Sequence, residues 1–206
     1  MNCKIRSGRP SAEDAEALTD RILQASWEFL LEVGFEHFSF DKLARYGRFG
    51  KPTIYARFGN KVELLRALLV QSIESRSRDL FDAASRQHID EAIPSLCADV
   101  VEYIHSPEGR LKDRLIDWLD IEAEDGGPSM RGWAGEMAIE RIRQLMRDAS
   151  KRGEITLSNI DKASQFLAAG VIGHGRMTKV QDEFDRALHI VWARDYWAML
   201  KKAFAA

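Results

Sequence analysis

The stretch Gly47 to Leu65, GRFGKPTIYARFGNKVELL, decides how this chain is read. Arg48, Lys51, Arg57 and Lys61 stand in it against a single acid, Glu63, and Phe49, Tyr55 and Phe58 are interleaved with them. Lys51-Pro52-Thr53 has the form of a helix start, because proline is tolerated in a first turn whose N–H groups lack intrahelical partners. Asn60 followed three residues later by Glu63 is a capping-box pattern that opens another helix at Lys61. A short basic helix bearing aromatics is a surface suited to phosphate.

The charge distribution agrees. The chain of 206 residues has a formal net charge of −2, yet Met1 to Ala12 holds Lys4, Arg6 and Arg9 and no acid. His37 to Lys61 sets Lys42, Arg45, Arg48, Lys51, Arg57 and Lys61 against Asp41 alone, so the remainder is strongly acidic. A basic patch beside an acidic body binds a polyanion and discourages adhesion elsewhere, although a basic patch alone also fits a merely solvated face. A content of 45% hydrophobic and 30% charged residues is that of a globular chain. No run approaches the length of a membrane span, and the first residues lack an apolar export core, so a cytoplasmic protein with no membrane partner is expected. Cys3 and Cys97 are too few for a disulfide framework or a thiolate metal cage.

Period-two alternation and hairpin signals are lacking, and helical signals recur. Ser11 and Asp14 form a cap pattern before Leu18, Ile22, Ala25, Phe29 and Val33 repeat on one face, with Gly34 as a left-handed stop. Ser39 caps a short helix over Phe40 to Tyr46, a second short helix covers Lys51 to Phe58, and a long one runs from Lys61 to about Ser85. Further helices are expected over Asp90–His105, Pro107–Asp125, Ser129–Arg152, Ile160–Lys179 and Asp182–Phe204, with Gly126-Gly127-Pro128 as a strong break. The fold class is all-α, with about nine helices. Residues 1–60 would form a three-helix helix-turn-helix head with a basic N-terminal arm, and residues 61–206 a larger helical domain.

In this context the chain resembles the TetR family of bacterial transcriptional regulators. The resemblance is carried by Gly8-Arg9-Pro10, Ile22-Leu23-x-Ala25 with Phe29 and Gly34-Phe35, and Ser39-Phe40-Asp41-Lys42-Leu43-Ala44. Above all it rests on Lys51-Pro52-Thr53-Ile54-Tyr55-x-x-Phe58-Gly59-Asn60-Lys61-x-Glu63-Leu64-Leu65. It implies that Ser39, Tyr55 and Lys61 hold phosphates and that Lys51, Pro52 and Thr53 form the front of a recognition helix, with Lys51 aimed at a guanine edge. Arg57 could make either kind of contact, and Arg48 belongs to the same interface. The turn departs from the family pattern: Arg48 occupies the usual glycine place, where a left-handed backbone strains a side chain, and Gly47 is expected to absorb that conformation one residue early. Ile54 and Phe58 are expected in the core.

The same resemblance implies a homodimer on a double-stranded DNA operator and a repressor released by a small apolar or aromatic effector. The dimer face would combine Phe166, Val171 and Gly173 with Phe184, Leu188, Val191, Trp192 and Tyr196. The effector pocket would draw on Cys97, Val101, Tyr103, Ile104, Trp118, Ile121, Trp133, Met137, His174 and Met177, with Trp118 and Trp133 flanking the glycine-proline break. No cofactor, metal site or catalytic residue is expected. His37, His88, His105, His174 and His189 are scattered, and Gly170 to Gly175 follows no strand, so it is not a nucleotide loop. A helical adaptor that keeps the head without binding an operator is the alternative, and an all-α enzyme a more distant one.

Overall fold

A computed structural model describes residues 12–123, 129–178 and 184–205. Among them are nine α-helices: α1 Ala12–Val33, α2 Phe40–Gly47, α3 Lys51–Phe58, α4 Lys61–Ser85, α5 Ile89–His105, α6 Pro107–Glu122, α7 Met130–Lys151, α8 Ile160–Met177 and α9 Arg186–Ala203. A 3-10 turn, Phe35–His37, joins α1 to α2, and an isolated antiparallel bridge pairs Leu157 with Ala205. The Gly8-Arg9-Pro10 arm, the Ser11 cap and the Gly126-Gly127-Pro128 break lie outside the described residues, as do Lys179 and Asp182.

Side-chain caps explain most helix starts. Asn60 Oδ1 accepts from Glu63 N at 2.9 Å, Ser106 Oγ from Gly109 N at 3.0 Å, and Asn159 Oδ1 from Lys162 N at 2.9 Å. Two helix ends differ from expectation. Asp185 Oδ1 accepts from Ala187 N and Leu188 N, which starts α9 at Arg186, and α6 stops at Glu122 where Ala123 turns to an extended backbone.

Contacts divide the chain into two compact units, Met1–Leu68 and Leu69–Ala206, and the division falls inside α4. In the first unit Ile22, Phe29 and Leu30 of α1 share a core with Phe38, Leu43, Ile54 and Phe58. Phe29 meets the edges of Phe38 and Tyr46 at 5.8 and 5.4 Å. Val33, expected on the inward face, is 41% exposed because it lies in the last turn before the chain reverses at Gly34. That glycine has φ 92° and ψ 156°, an extended mirror-image conformation rather than the left-handed helical stop expected.

In the second unit α5 is central and packs against α6, α8 and α9. Ile89, Ile93, Cys97 and Val101 of α5 are buried with Met146, Leu167, Val171, Ala193 and Trp197. Polar ties fix α9 on α5: Trp197 Nε1 and Lys201 Nζ both donate to Asp90 Oδ1, at 2.7 and 2.6 Å, and Arg186 reaches Asp99 and Ser95. Gly170 permits close packing of α8 on α9, since a Cβ there would fall 2.2 Å from Tyr196 Oη.

Candidate nucleic-acid interface and ligand cavity

The turn between α2 and α3 departs from expectation in an instructive way. Arg48 itself takes the left-handed conformation, φ 55° and ψ 40°, and among the described residues it is the only non-glycine with positive φ. Gly47 does not absorb it; Gly47 remains the last helical residue of α2. Its lack of a side chain serves space instead, because a Cβ at Gly47 would lie 2.1 Å from Phe49 Cε2. The glycine therefore admits the Phe49 ring beneath the turn, and Arg48 carries the strained backbone that lets Phe49 N donate to Ala44 O at 2.9 Å.

Ser39 caps α2, its Oγ accepting from Lys42 N at 3.3 Å, which leaves the hydroxyl proton as a donor. At the start of α3, Lys51 and Pro52 are exposed and Thr53 is half-buried. Lys51 Nζ pairs with Asp41 at 2.6 Å, across the turn, and this hydrogen bond raises the ammonium above its ordinary value. Tyr55 is exposed on the same helix with its ring edge against Phe40 at 4.8 Å. Two further cations are already engaged. Arg57 donates to Thr19 Oγ1 of α1, and Lys61 Nζ lies 4.3 Å from the Phe35 ring centroid. Ile54 and Phe58 are buried, as expected.

The body holds a cavity of about 590 Å³ between α4, α5, α6, α7 and α8. Tyr103, Ile104 and Met137 line it, with Phe81, Leu80, Ile73 and Ile116. The other residues expected at a pocket are elsewhere. Cys97 and Val101 belong to the core, where burial pushes the Cys97 thiol up to about 12. Trp118 and Trp133 are half-buried outside its walls, and Ile121 and Met177 are 80% and 87% exposed. The reason is helix phase: α6 turns Leu111, Leu115 and Leu119 into the core, and the wall is made by Lys112, Asp113 and Ile116 beside them. The sequence reading also missed the charge of this wall. Arg76, Arg110, Lys112, Arg114, Arg131 and Arg176 line it with one carboxylate, Asp113.

Residues 22–68 match the family described as bacterial regulatory proteins, tetR family. Over 200 residues the chain is 22% identical to the HTH-type transcriptional regulator SrpR of Pseudomonas putida, spanning 94% of this chain and 90% of that one. The head, residues 22–68, is that of the TetR family. The chain is also 25% identical over 151 residues to the DNA-binding transcriptional repressor TetR of Mycobacteroides abscessus, covering 66% and 79% of the two chains. A TetR-family regulator structure from Mesorhizobium loti superposes with a TM-score of 0.72 at 14% identity, over 93% of this chain and 98% of that one, a likeness of fold. This chain is thus a DNA-binding transcriptional regulator with its helix-turn-helix in α2 and α3.

The last two helices, α8 and α9, carry exposed apolar residues. Leu188, Val191 and Met199 of α9 and Phe166 of α8 are each more than half exposed. Trp192 and Tyr196 are half-buried and stacked at 5.2 Å, and Gly173 has open space around its Cα. Val171, expected in this face, is instead buried in the body core, and Phe184 packs partly against that core. Three histidines that sequence left scattered come together: His174 Nε2 lies 3.1 Å from His189 Nδ1, and the His105 ring 6.1 Å from that of His189. His174, expected at the pocket, stacks on Trp192 at 3.7 Å instead. Burial first, and the neighbouring histidines second, lower the pKa values of His174 and His189, so both favour the neutral form. Among the described residues no group of three potential ligands could hold a metal ion, and no helix is long and apolar enough to cross a membrane.

Proposed function

We propose that the protein is a dimeric repressor that leaves its operator when a small molecule enters the cavity of the body. One observation carries this reading: α4 is a single helix that begins at Lys61 beside the DNA-binding segment and supplies Ile73, Arg76, Ser77, Leu80 and Phe81 to the cavity wall. A ligand that favours one position of α4 biases one of two head arrangements, which is the only way a ligand can shift an equilibrium. For working purposes residues 1–60 act as the DNA-binding domain and 61–206 as the effector and dimerisation domain, in the cytoplasm with the chromosome.

Within the head, Lys51 and Thr53 would read base edges, while Ser39 and Tyr55 would hold phosphates. Lys51 must release Asp41 to do so, a small obstacle for an exposed pair. Arg57 and Lys61 would reach phosphate only by leaving Thr19 and the Phe35 ring. An operator selected from random duplexes tests this. Lys51→Ala should weaken it about ten- to a hundredfold and relax its sequence preference. Tyr55→Phe and Lys61→Ala should weaken all duplexes alike, and only Lys61→Ala should flatten the salt dependence. A triple variant with undiminished operator affinity would exclude the head as the DNA reader.

A further inference from the structure

We infer that the cavity of the body takes an amphipathic organic anion, its acid group held by Arg76 and Lys112 and its apolar part lying along Phe81 and Met137. This rests on the effector reading above and sharpens it: a purely apolar ligand would leave the cations of the cavity unanswered.

The charges can be accounted for one by one. Asp113, the carboxylate in the wall, already serves Arg131 at 2.9 Å and Arg176 at 2.8 Å, and Arg131 also pairs with Asp117. Arg110 donates to the His105 carbonyl, and Arg114 has an interaction of its own. Arg76 and Lys112 are left facing one aromatic ring: the Arg76 guanidinium lies 3.7 Å and Lys112 Nζ 4.1 Å from the Tyr103 ring centroid. The ring's π face attracts both cations but offsets only part of the cost of drying them. Arg76 Nε and the adjacent Ser77 Oγ are buried and have no hydrogen-bond partner among the described residues. Buried polar groups are nearly always partnered, so two orphans side by side at a cavity wall mark the place of a missing acceptor. Lys112 shows the same strain, held down at about 8 by burial first and by the like charge of Arg76 second. An acid group between them would reverse that repulsion and accept from Arg76 Nε and Ser77 Oγ. Around this polar corner the wall is hydrocarbon, with Phe81 and Met137 suited to a flat or aliphatic body.

Two fluorescent probes of nearly equal shape separate the possibilities: 8-anilinonaphthalene-1-sulfonate, an anion, and N-phenyl-1-naphthylamine, its neutral counterpart. Titrated into the intact protein, the anion should bind at least about tenfold more tightly. Arg76→Met with Lys112→Met should weaken the anion about ten- to a hundredfold and leave the neutral probe unchanged. Helical circular dichroism and a cooperative melt check folding, and the single Gln variants at each position replace the pair if it fails to fold. Gly135→Trp fills the cavity from α7 and should abolish binding of both probes. Equal affinity of the two probes, or an anion indifferent to both cations, overturns the anion inference and leaves the effector cavity standing. Binding of both probes that survives Gly135→Trp overturns the cavity reading itself.

Discussion

Arg48 holds a backbone that normally belongs to glycine, and the neighbouring glycine is kept for an unrelated reason. The left-handed conformation costs a residue with Cβ about 1–2 kcal/mol. Arg48→Gly should therefore raise unfolding stability by up to about 1 kcal/mol once the added freedom of the unfolded chain is subtracted. Gly47→Ala should do the opposite, costing about 1–3 kcal/mol because the Phe49 ring must move from its 2.1 Å overlap. Denaturant midpoints at unchanged slope read both effects, and equal shifts of the same sign would refute the division of roles. A second residue-scale prediction concerns acid. Glu154 accepts from Arg152 Nε and, from far along the sequence, from Ile89 N at the start of α5, and these bonds hold its carboxyl down at about 2. A depressed folded pKa means stability that is present above about 4.5, the ordinary value, and is lost as pH falls towards 2. The gap in melting temperature between the parent and Glu154→Gln should hold from pH 7 to near 5 and close over that acid window. A pH-independent gap would show that the carboxylate charge is not what stabilises α5.

At the scale of elements, carboxylates of α6 as well as apolar packing hold α7: Asp113 and Asp117 pair with Arg131, and Asp120 caps the helix start. Asp120 of α6 accepts from Ser129 Oγ at 2.9 Å and from the backbone N–H of Met130 and Arg131 at 2.6 and 3.3 Å, so it caps the next helix across the intervening chain. Negative charge at a helix N-terminus and two capped N–H groups argue for a loss of about 1–2 kcal/mol in Asp120→Ala. Because α7 supplies Arg131, Ala134 and Met137 to the cavity, the same substitution should weaken probe binding there. Lower stability with unchanged probe affinity would separate the cap from the site.

The whole molecule leaves the outer face of α9 unexplained by its own core. Ala193, Trp197 and Leu200 face inward, while Leu188, Val191 and Met199 remain exposed on the other side. An apolar face of this kind, with Phe166 beside it, suits an isologous contact with a second copy that should bury more than about 1,000 Å² in total. Leu188→Glu with Val191→Glu should convert the protein to a monomer by light scattering at micromolar concentration, keep its helical spectrum, and weaken a two-half-site operator far more than a single half-site. A parent protein that is already monomeric would refute the dimer.

The all-α class, the helix order and the Lys51–Phe58 helix were legible in the sequence because caps, proline at a first turn and apolar periodicity act within a few residues. Ile54 and Phe58 in the core followed from the same local logic. The division of Gly47 and Arg48 was not legible, since it depends on where the Phe49 ring lies. Nor was the cavity. Trp118 and Trp133 were drawn towards a break in the chain, but helix phase, set by which leucines of α6 reach the core, put Lys112, Asp113 and Ile116 on the wall instead. The meeting of Arg76 with Lys112 at Tyr103, and of His105 with His174 and His189, joins residues tens of positions apart. Sequence alone determined which segments are helices and which family the head resembles; tertiary packing decided which charges are stranded from water, because desolvation depends on neighbours that no local pattern encodes.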